Sequence, residues 1–187
     1  MRALSPQEFI QATFINDLGR MIESKNFYLS FIIMGIGIEF LGKCLSPNDD
    51  WQEGKPGTTF KKAVNTLDAL KEYRRLLTEY DLYSSLRCGL AHAALPKYQI
   101  TLSSTHAEAP HLLETNDSIN LHCESFFKDF KKACEEVIAM QFSAGDKMNN
   151  PIILVPGETI NEQVFPVVSG QTSVTMSYNN EANYKKP

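Results

Sequence analysis

The segment RCGLAH, residues 87–92, holds the two side chains of this sequence best suited to chemistry on a phosphodiester. Arg87 is a permanent cation whose planar fork matches phosphate oxygens, and His92 can give and take protons near neutral pH. Together these two groups could cleave RNA without a metal ion. His92 would take the proton of a ribose 2′-hydroxyl or deliver one to the leaving oxygen, and Arg87 would stabilise the charge that grows on the phosphoryl group. We therefore predict that both are catalytic residues.

The spacing of this pair restricts how it could work. Side chains five positions apart point about 140° away from each other on an ideal α-helix. Arg87 and His92 would share a face only if the helix bends or ends between them, and Gly89 favours such a departure. Alternatively, two copies of the segment could face each other in a dimer and pool their groups. The competing interpretation is a surface arginine and a partly buried, satisfied histidine on one helix.

The charge of the chain is uneven. The whole sequence carries −4, which argues against a general nucleic-acid coat protein. Residues 55–99 contain eight basic and four acidic residues, so this segment carries +4 and could hold RNA or another phosphate-bearing ligand. A solvated helix face would give the same pattern. We predict these substrate-binding residues within the segment: Lys61, Lys62, Arg74, Arg75 and Lys97.

No metal or cofactor motif is evident in the sequence. The four cysteines lack the paired spacing of a zinc module. Histidines 106, 111 and 122 cluster near Cys123, but loop histidines are usually solvated, so we expect no metal ligands among them. The glycines at 35 and 37 follow no predicted strand and fail the context of a dinucleotide loop, and close helix packing explains them better.

Two features bear on the cellular compartment. The N-terminus lacks the apolar core of a signal peptide, which favours a cytoplasmic protein with reduced thiols. The apolar run at residues 27–41 is shorter than the roughly 20 residues that a membrane span needs, and it contains Glu39. We therefore expect this run to form a helix buried on nearly all sides, with no membrane partner.

Apolar residues at three- and four-residue spacing predict helices over about 5–25, 27–45, 58–70, 79–95 and 124–142. Ser5 and Pro6 start the first of these, and Pro96 stops the fourth. Alternating, β-branched segments predict a small sheet before the last helix, with strands at 97–104, 111–116 and 118–122. The fold class is thus mainly α.

The composition changes after Ser143, where turn residues separate short apolar runs at 152–155 and 164–168. These runs predict strands on the body, strands on a neighbouring chain, or a loose tail. We divide the chain into a helical domain at 1–142 and a C-terminal extension at 143–187.

The segment LYSSLRCGLAH, residues 82–92, resembles the Arg-x4-His motif of the HEPN superfamily (higher eukaryotes and prokaryotes nucleotide-binding). The resemblance spans roughly residues 5–142. It implies an up-and-down bundle of four or five helices that forms a homodimer, in which two motifs meet and cut RNA without metal. By this resemblance Arg87 stabilises the phosphate and His92 is the acid/base residue. It also implies a setting in toxin–antitoxin pairs, with an antitoxin-like protein partner, or in phage defence.

This sequence departs from the family at two points. Cys88 stands directly after the arginine, where active members usually carry a polar residue such as Asn, Asp or His. The predicted sheet is absent from the simplest bundles of the family. The alternative function is therefore a non-catalytic HEPN-like interaction or ligand-binding module.

Overall fold

The protein is mainly helical, with a small sheet before its last long helix. The structure is a computed structural model that describes residues 2–46, 51, 55–97, 99–104, 110–115, 117–150 and 153–155. The α-helices are α1 (Pro6–Phe9), α2 (Leu18–Glu23), α3 (Phe27–Cys44), α4 (Pro56–Thr66), α5 (Leu76–Glu79), α6 (Gly89–Ala93) and α7 (Cys123–Ala139). Wider π-helical turns occupy Ile10–Asp17 and Tyr83–Cys88, and tighter 3₁₀ turns occupy Asp68–Tyr73 and Lys147–Asn149. The strands are β1 (Arg2–Leu4), β2 (Ile100–Ser103), β3 (Glu114–Thr115), β4 (Ser118–His122) and β5 (Ile153–Val155).

The first helical run starts where the sequence predicts it. The Ser5 hydroxyl accepts a hydrogen bond from the Glu8 amide at 3.2 Å, and the Glu8 carboxylate accepts one from the Ser5 amide at 2.8 Å. This reciprocal pair is a capping box, which satisfies two amides that the first turn would leave unbonded. The run continues without a break through the π-helical turns to Glu23, close to the predicted end.

Helix α3 lies at the centre of the protein, as its apolar sequence predicts. Its buried side chains include Phe31, Met34, Ile38 and Leu41. The helix is long and apolar enough to cross a membrane by length and composition, and 56% of it is buried inside the protein. A Cβ atom on Gly42 would lie 1.8 Å from a main-chain oxygen of α4, so α3 and α4 approach as closely as only a glycine allows.

The two middle helices differ from the prediction in their bounds. The predicted helix at 58–70 ends at Thr66, because Leu67 is extended (φ −76°, ψ 129°), and a 3₁₀ turn follows. The predicted helix at 79–95 begins only after Asp81, whose φ of 42° interrupts the helical path. It ends at Ala93, since Ala94 is left-handed with φ 52°.

The small sheet has the strand order β2-β4-β3 among the described residues. β4 pairs in parallel with β2 and antiparallel with β3, and β3 is shorter than the predicted strand at 111–116. Ile119 and Leu121 of β4 are buried, and Cys123 opens α7 directly after the strand. The sheet therefore fixes where α7 enters the core.

The two ends of the described chain meet in a pairing that the sequence does not predict. β1 pairs antiparallel with β5, so the strand predicted at 152–155 is confirmed and lies on the body. The described residues between 2 and 155 belong to one compact unit. The strand predicted at 164–168 lies outside the described residues, and the boundary after residue 142 stays a prediction.

Candidate functional site

The structure brings Arg87 and His92 into contact. Arg87 Nη1 lies 3.4 Å from His92 Nε2. The helix that carries them changes from π-helical to α-helical form at Gly89, between the two residues. A departure from ideal helix geometry therefore does lie where Gly89 predicts it, and the long arginine side chain spans the remaining distance.

Close approach of the following chain explains why residue 89 is a glycine. A Cβ atom at this position would lie 2.6 Å from the carbonyl oxygen of Leu95. The chain turns back here because Leu95 donates its amide to the carbonyl of Gly89 at 3.3 Å, and Lys97 donates its amide to Ser85 at 3.0 Å. The helix thus ends at Ala93, one residue after His92, and leaves the His92 imidazole exposed.

A carboxylate from α3 holds the other side of the arginine. Glu39 Oε2 lies 2.7 Å from Arg87 Nε, so the two side chains form an ion pair. The N–H of Arg87 Nε does not point at the carboxylate oxygen closely enough for a hydrogen bond. The two side chains are only 11% and 16% exposed. Gly35, one turn earlier on α3, also lies against the main chain of Arg87.

Our sequence reasoning missed Glu39 as a site residue. The available signal was a single carboxylate in a long apolar helix, because a buried charge is rare unless another charged group pairs with it. Two contacts form a line that runs from Glu39 in the core through Arg87 to His92 at the surface. This line fixes the guanidinium from the inner side and presents the imidazole on the outer side.

The contact with Arg87 fits one tautomer of His92. A guanidinium has N–H donors and no acceptor, so His92 Nε2 must be without a proton when Arg87 donates to it. The second ring nitrogen then carries the hydrogen of the neutral imidazole. The Nε2 lone pair could take a proton from a hydroxyl group once the Arg87 guanidinium releases it.

Lys97 is the predicted substrate-binding residue that the structure places beside this pair. Lys97 and His92 line one surface cavity of about 450 Å³. The ammonium of Lys97 donates to the hydroxyl of Ser84, so the cation is held in place. An ammonium group has three donors, and the others remain for an anionic ligand.

The two predicted lysines of α4 are not brought into contact with the pair. Lys61 is exposed on the helix surface. Lys62 donates to the hydroxyl of Ser46, just after the end of α3, at 2.6 Å. Their role in holding RNA stays a prediction.

The two predicted arginines hold parts of their own chain together. Arg74 donates to main-chain carbonyls at the C-terminal end of α4 at 3.3 and 3.4 Å, which satisfies groups that the helix end leaves unbonded. Arg75 lies 2.8 Å from Glu79 and also pairs with Glu114. These contacts occupy both side chains, so an RNA backbone would have to displace them.

Cys88 has a tyrosine as its neighbour in the structure. Burial and a hydrogen bond with the Cys88 thiol raise the pKa of Tyr83 to about 12, and burial is the larger cause. The Tyr83 hydroxyl is therefore protonated at neutral pH. A tyrosine–thiol contact thus lies beside Arg87.

The histidines near the sheet form a hydrogen-bond network. His111 Nε2 lies 2.7 Å from the Tyr73 hydroxyl, which donates to Asp129 at 3.0 Å. Within the described residues, no three His, Cys, Asp or Glu side chains converge as a metal site. His106 lies outside the described residues.

Neither a scan against protein-family models nor searches of curated proteins and solved structures found a match to this chain. Its function must therefore be argued from its own residues. Chemically, the Glu39–Arg87–His92 line offers an oriented cation and a surface imidazole able to accept a proton. Lys97 adds a second cation at the edge of the same site.

Proposed function

We propose that this protein is a HEPN-like homodimer that binds RNA and cleaves it without a metal ion, using Arg87 and His92. The observation that carries the proposal is the 3.4 Å contact between these two side chains, with the imidazole exposed and the guanidinium anchored by Glu39. The pair satisfies the geometric requirement for joint action on one phosphate.

The chemistry follows from the order of the groups. When Arg87 turns from His92 to the phosphate, the Nε2 lone pair is free to take the proton of a ribose 2′-hydroxyl, and the resulting oxygen attacks the adjacent phosphorus. The bond to the 5′-oxygen breaks, which gives a 2′,3′-cyclic phosphate and a 5′-hydroxyl end. Arg87 donates hydrogen bonds to the phosphoryl oxygens as negative charge accumulates on them.

A second copy of the chain supplies what one site lacks. The leaving 5′-oxygen needs a proton, and an imidazole from the second copy can deliver it while the first acts as base. An apolar face of α3, defined by Leu29, Ile32, Ile33 and Ile36, supports this assembly. Leu29 and Ile36 are 53% and 41% exposed, although they lie beside the helix face that contacts Arg87. Burying this face in a homodimer would remove exposed apolar surface next to the site.

The same proposal includes the helix arrangement, the cellular location and the biological setting. We propose an up-and-down arrangement of four to five helices and a cytoplasmic location without membrane association. An antitoxin-like protein would restrain the activity in a toxin–antitoxin pair, or the protein would act in phage defence. The Arg-x4-His motif at residues 87–92 supports the helix arrangement and the setting. The four free cysteines support the cytoplasmic location, and Glu39 in the apolar run at 27–41 supports the absence of membrane association.

The direct test is incubation of the purified full chain with end-labelled single-stranded RNA in EDTA. We expect cleavage products with 2′,3′-cyclic phosphate ends, identified by their resistance to enzymes that need a free 3′-hydroxyl. His92→Ala and Arg87→Ala should each abolish cutting and leave the helical circular dichroism spectrum intact. Arg20→Ala, at an exposed arginine of α2, is the matched control and should cut normally. Equal inertness of all four proteins on every RNA tested would refute the enzyme.

A second candidate function is non-catalytic RNA or ligand binding. Two observations favour it: Cys88 replaces the usual polar residue, and the Glu39 carboxylate offsets the positive charge of Arg87. Under this alternative, the wild-type protein would bind RNA without cutting it. Arg87→Ala would then weaken binding, whereas His92→Ala would have little effect.

A further inference from the structure

The cavity of about 450 Å³ beside His92 has the composition of a ligand site rather than of a packing defect. Its volume lies within the roughly 300–1,000 Å³ typical of small-molecule sites. Cys88, Ala93, Leu95 and Pro96 provide apolar walls, and two nitrogen-bearing side chains provide the polar part. Leu95 is 67% exposed, so its side chain is open to a ligand.

The walls of this cavity are held in a fixed shape. The chain reverses at the left-handed Ala94, whose carbonyl accepts a hydrogen bond from the Tyr28 hydroxyl of α3. The amides of Leu95 and Lys97 are bonded back to the preceding helix, as described above. A ligand would therefore meet a preformed surface and lose little affinity to loop ordering.

The position of the polar groups identifies the ligand class. His92 and Lys97 can both contact a phosphate, and the aliphatic walls suit the flat face of a nucleobase. We propose that the cavity is a nucleotide subsite, in which a base lies against Ala93 and Leu95 and its phosphate lies between His92 and Lys97. This inference rests on the proposed function, and it adds a specificity pocket for the nucleotide that adjoins the cleaved bond.

The test uses ribonucleoside 3′-monophosphates and inorganic phosphate as probes, with binding to the full chain measured by calorimetry or NMR titration. At least one nucleotide should bind about tenfold more tightly than inorganic phosphate, the difference that one modest apolar contact provides. Ala93→Phe fills the cavity from the last residue of α6 and should remove this advantage while phosphate binding remains. Ala139→Phe makes the same change at the exposed last residue of α7 and should retain the advantage.

A second variant covers the case in which Ala93→Phe disturbs the helix end. Leu95→Asn removes the apolar wall at an exposed position and should likewise lower nucleotide affinity about tenfold. The subsite is refuted if no nucleotide binds better than inorganic phosphate, or if Ala93→Phe and Leu95→Asn both keep the wild-type preference. The proposed function fails separately, when wild-type protein leaves RNA uncut in EDTA. A protein that cuts RNA while both cavity variants cut the same RNAs equally well would refute the subsite alone.

Discussion

Glu39 Oε2 lies 2.7 Å from Arg87 Nε, and both side chains are mostly buried. The carboxylate reaches Arg87 from α3, 48 positions earlier in the chain, so it links the central helix to the candidate site. Each charge alone would be costly at this depth, and the pair is retained because each offsets the other. The orientation of the guanidinium toward His92 therefore depends on the packing of the core.

Removing this carboxylate should weaken the fold. Glu39→Ala leaves the Arg87 guanidinium without its counter-charge at a half-buried position, and we expect the free energy of unfolding in urea to fall by about 1–3 kcal/mol. Asp17→Ala breaks an exposed pair with Arg20 and is the matched control, with an expected loss under about 1 kcal/mol. Similar losses in the two variants would show that the Glu39–Arg87 pair is no stronger than a surface contact.

The same position should matter for activity. Glu39→Gln keeps the shape of the side chain and removes its charge, so Arg87 is held less firmly and samples other rotamers. We expect kcat for RNA cleavage to fall by about tenfold or more, because misplacement of a stabilising cation raises the barrier. An unchanged kcat in a folded Glu39→Gln protein would mean that Glu39 does not position the arginine for the reaction.

The apolar face of α3 should mediate dimer formation. Ile36→Glu places a charge in the middle of this face, and we expect the protein to sediment as a monomer where the wild type sediments as a dimer. RNA cleavage should be lost with the dimer, since one site lacks the proton donor. Leu113→Glu changes a leucine of equal exposure, 41%, that lies beside the small sheet and should leave the dimer intact. A wild-type protein that is monomeric at micromolar concentrations would contradict the proposal.

The sequence predicted those helices and strands that are specified by residues close together in the chain. The Ser5–Glu8 capping box marks the first helix, and the uninterrupted apolar run marks α3. Strand β4 is found at the predicted residues because its apolar residues, Ile119 and Leu121, alternate with polar residues in the sequence. The pairing of β1 with β5 was missed, because it joins segments about 150 residues apart and leaves no local pattern.

The candidate site could be predicted only in part. The residue types at 87 and 92 indicate their chemistry, but their contact depends on a change of helix form at Gly89, which no periodicity specifies. Asp81 interrupts the preceding helix with a positive φ that is unusual for a non-glycine residue. Glu39 is brought to the site by tertiary packing. The sequence thus indicates the reacting groups, and the fold determines which charges surround them.

The glycines of α3 should differ sharply in their tolerance of a side chain. Gly42→Ala would place a methyl group 1.8 Å from the Thr59 carbonyl oxygen, so α3 and α4 must separate. We expect the unfolding free energy to fall by about 1–3 kcal/mol or more. Gly35→Ala places its methyl group 3.6 Å from Arg87 Cα, an ordinary contact, and should be neutral or slightly stabilising because alanine favours helix. Equal effects of the two changes would contradict the observed helix packing.

His111 should make the stability of the protein depend on pH. Its Nδ1 accepts the His122 amide at 3.0 Å, so its proton sits on Nε2 and is donated to the Tyr73 hydroxyl. A proton added to Nδ1 would set two N–H groups against each other. Burial lowers the pKa of His111 below its usual 6.5; Asp129 opposes this shift, and His122 adds to it.

The lowered pKa of His111 determines how the stability of the protein depends on pH. Because the folded protein binds this proton less readily than the unfolded chain, His111 favours folding above pH 6.5, and stability falls as the pH drops below that value. Urea unfolding of the wild type should therefore show a decreasing free energy between about pH 7.5 and 5.5. His111→Gln offers a carbonyl to the His122 amide and an amide to Tyr73 without titrating, so this part of the decrease should disappear. A His111→Gln protein with the full wild-type pH dependence would show that the proton is bound elsewhere.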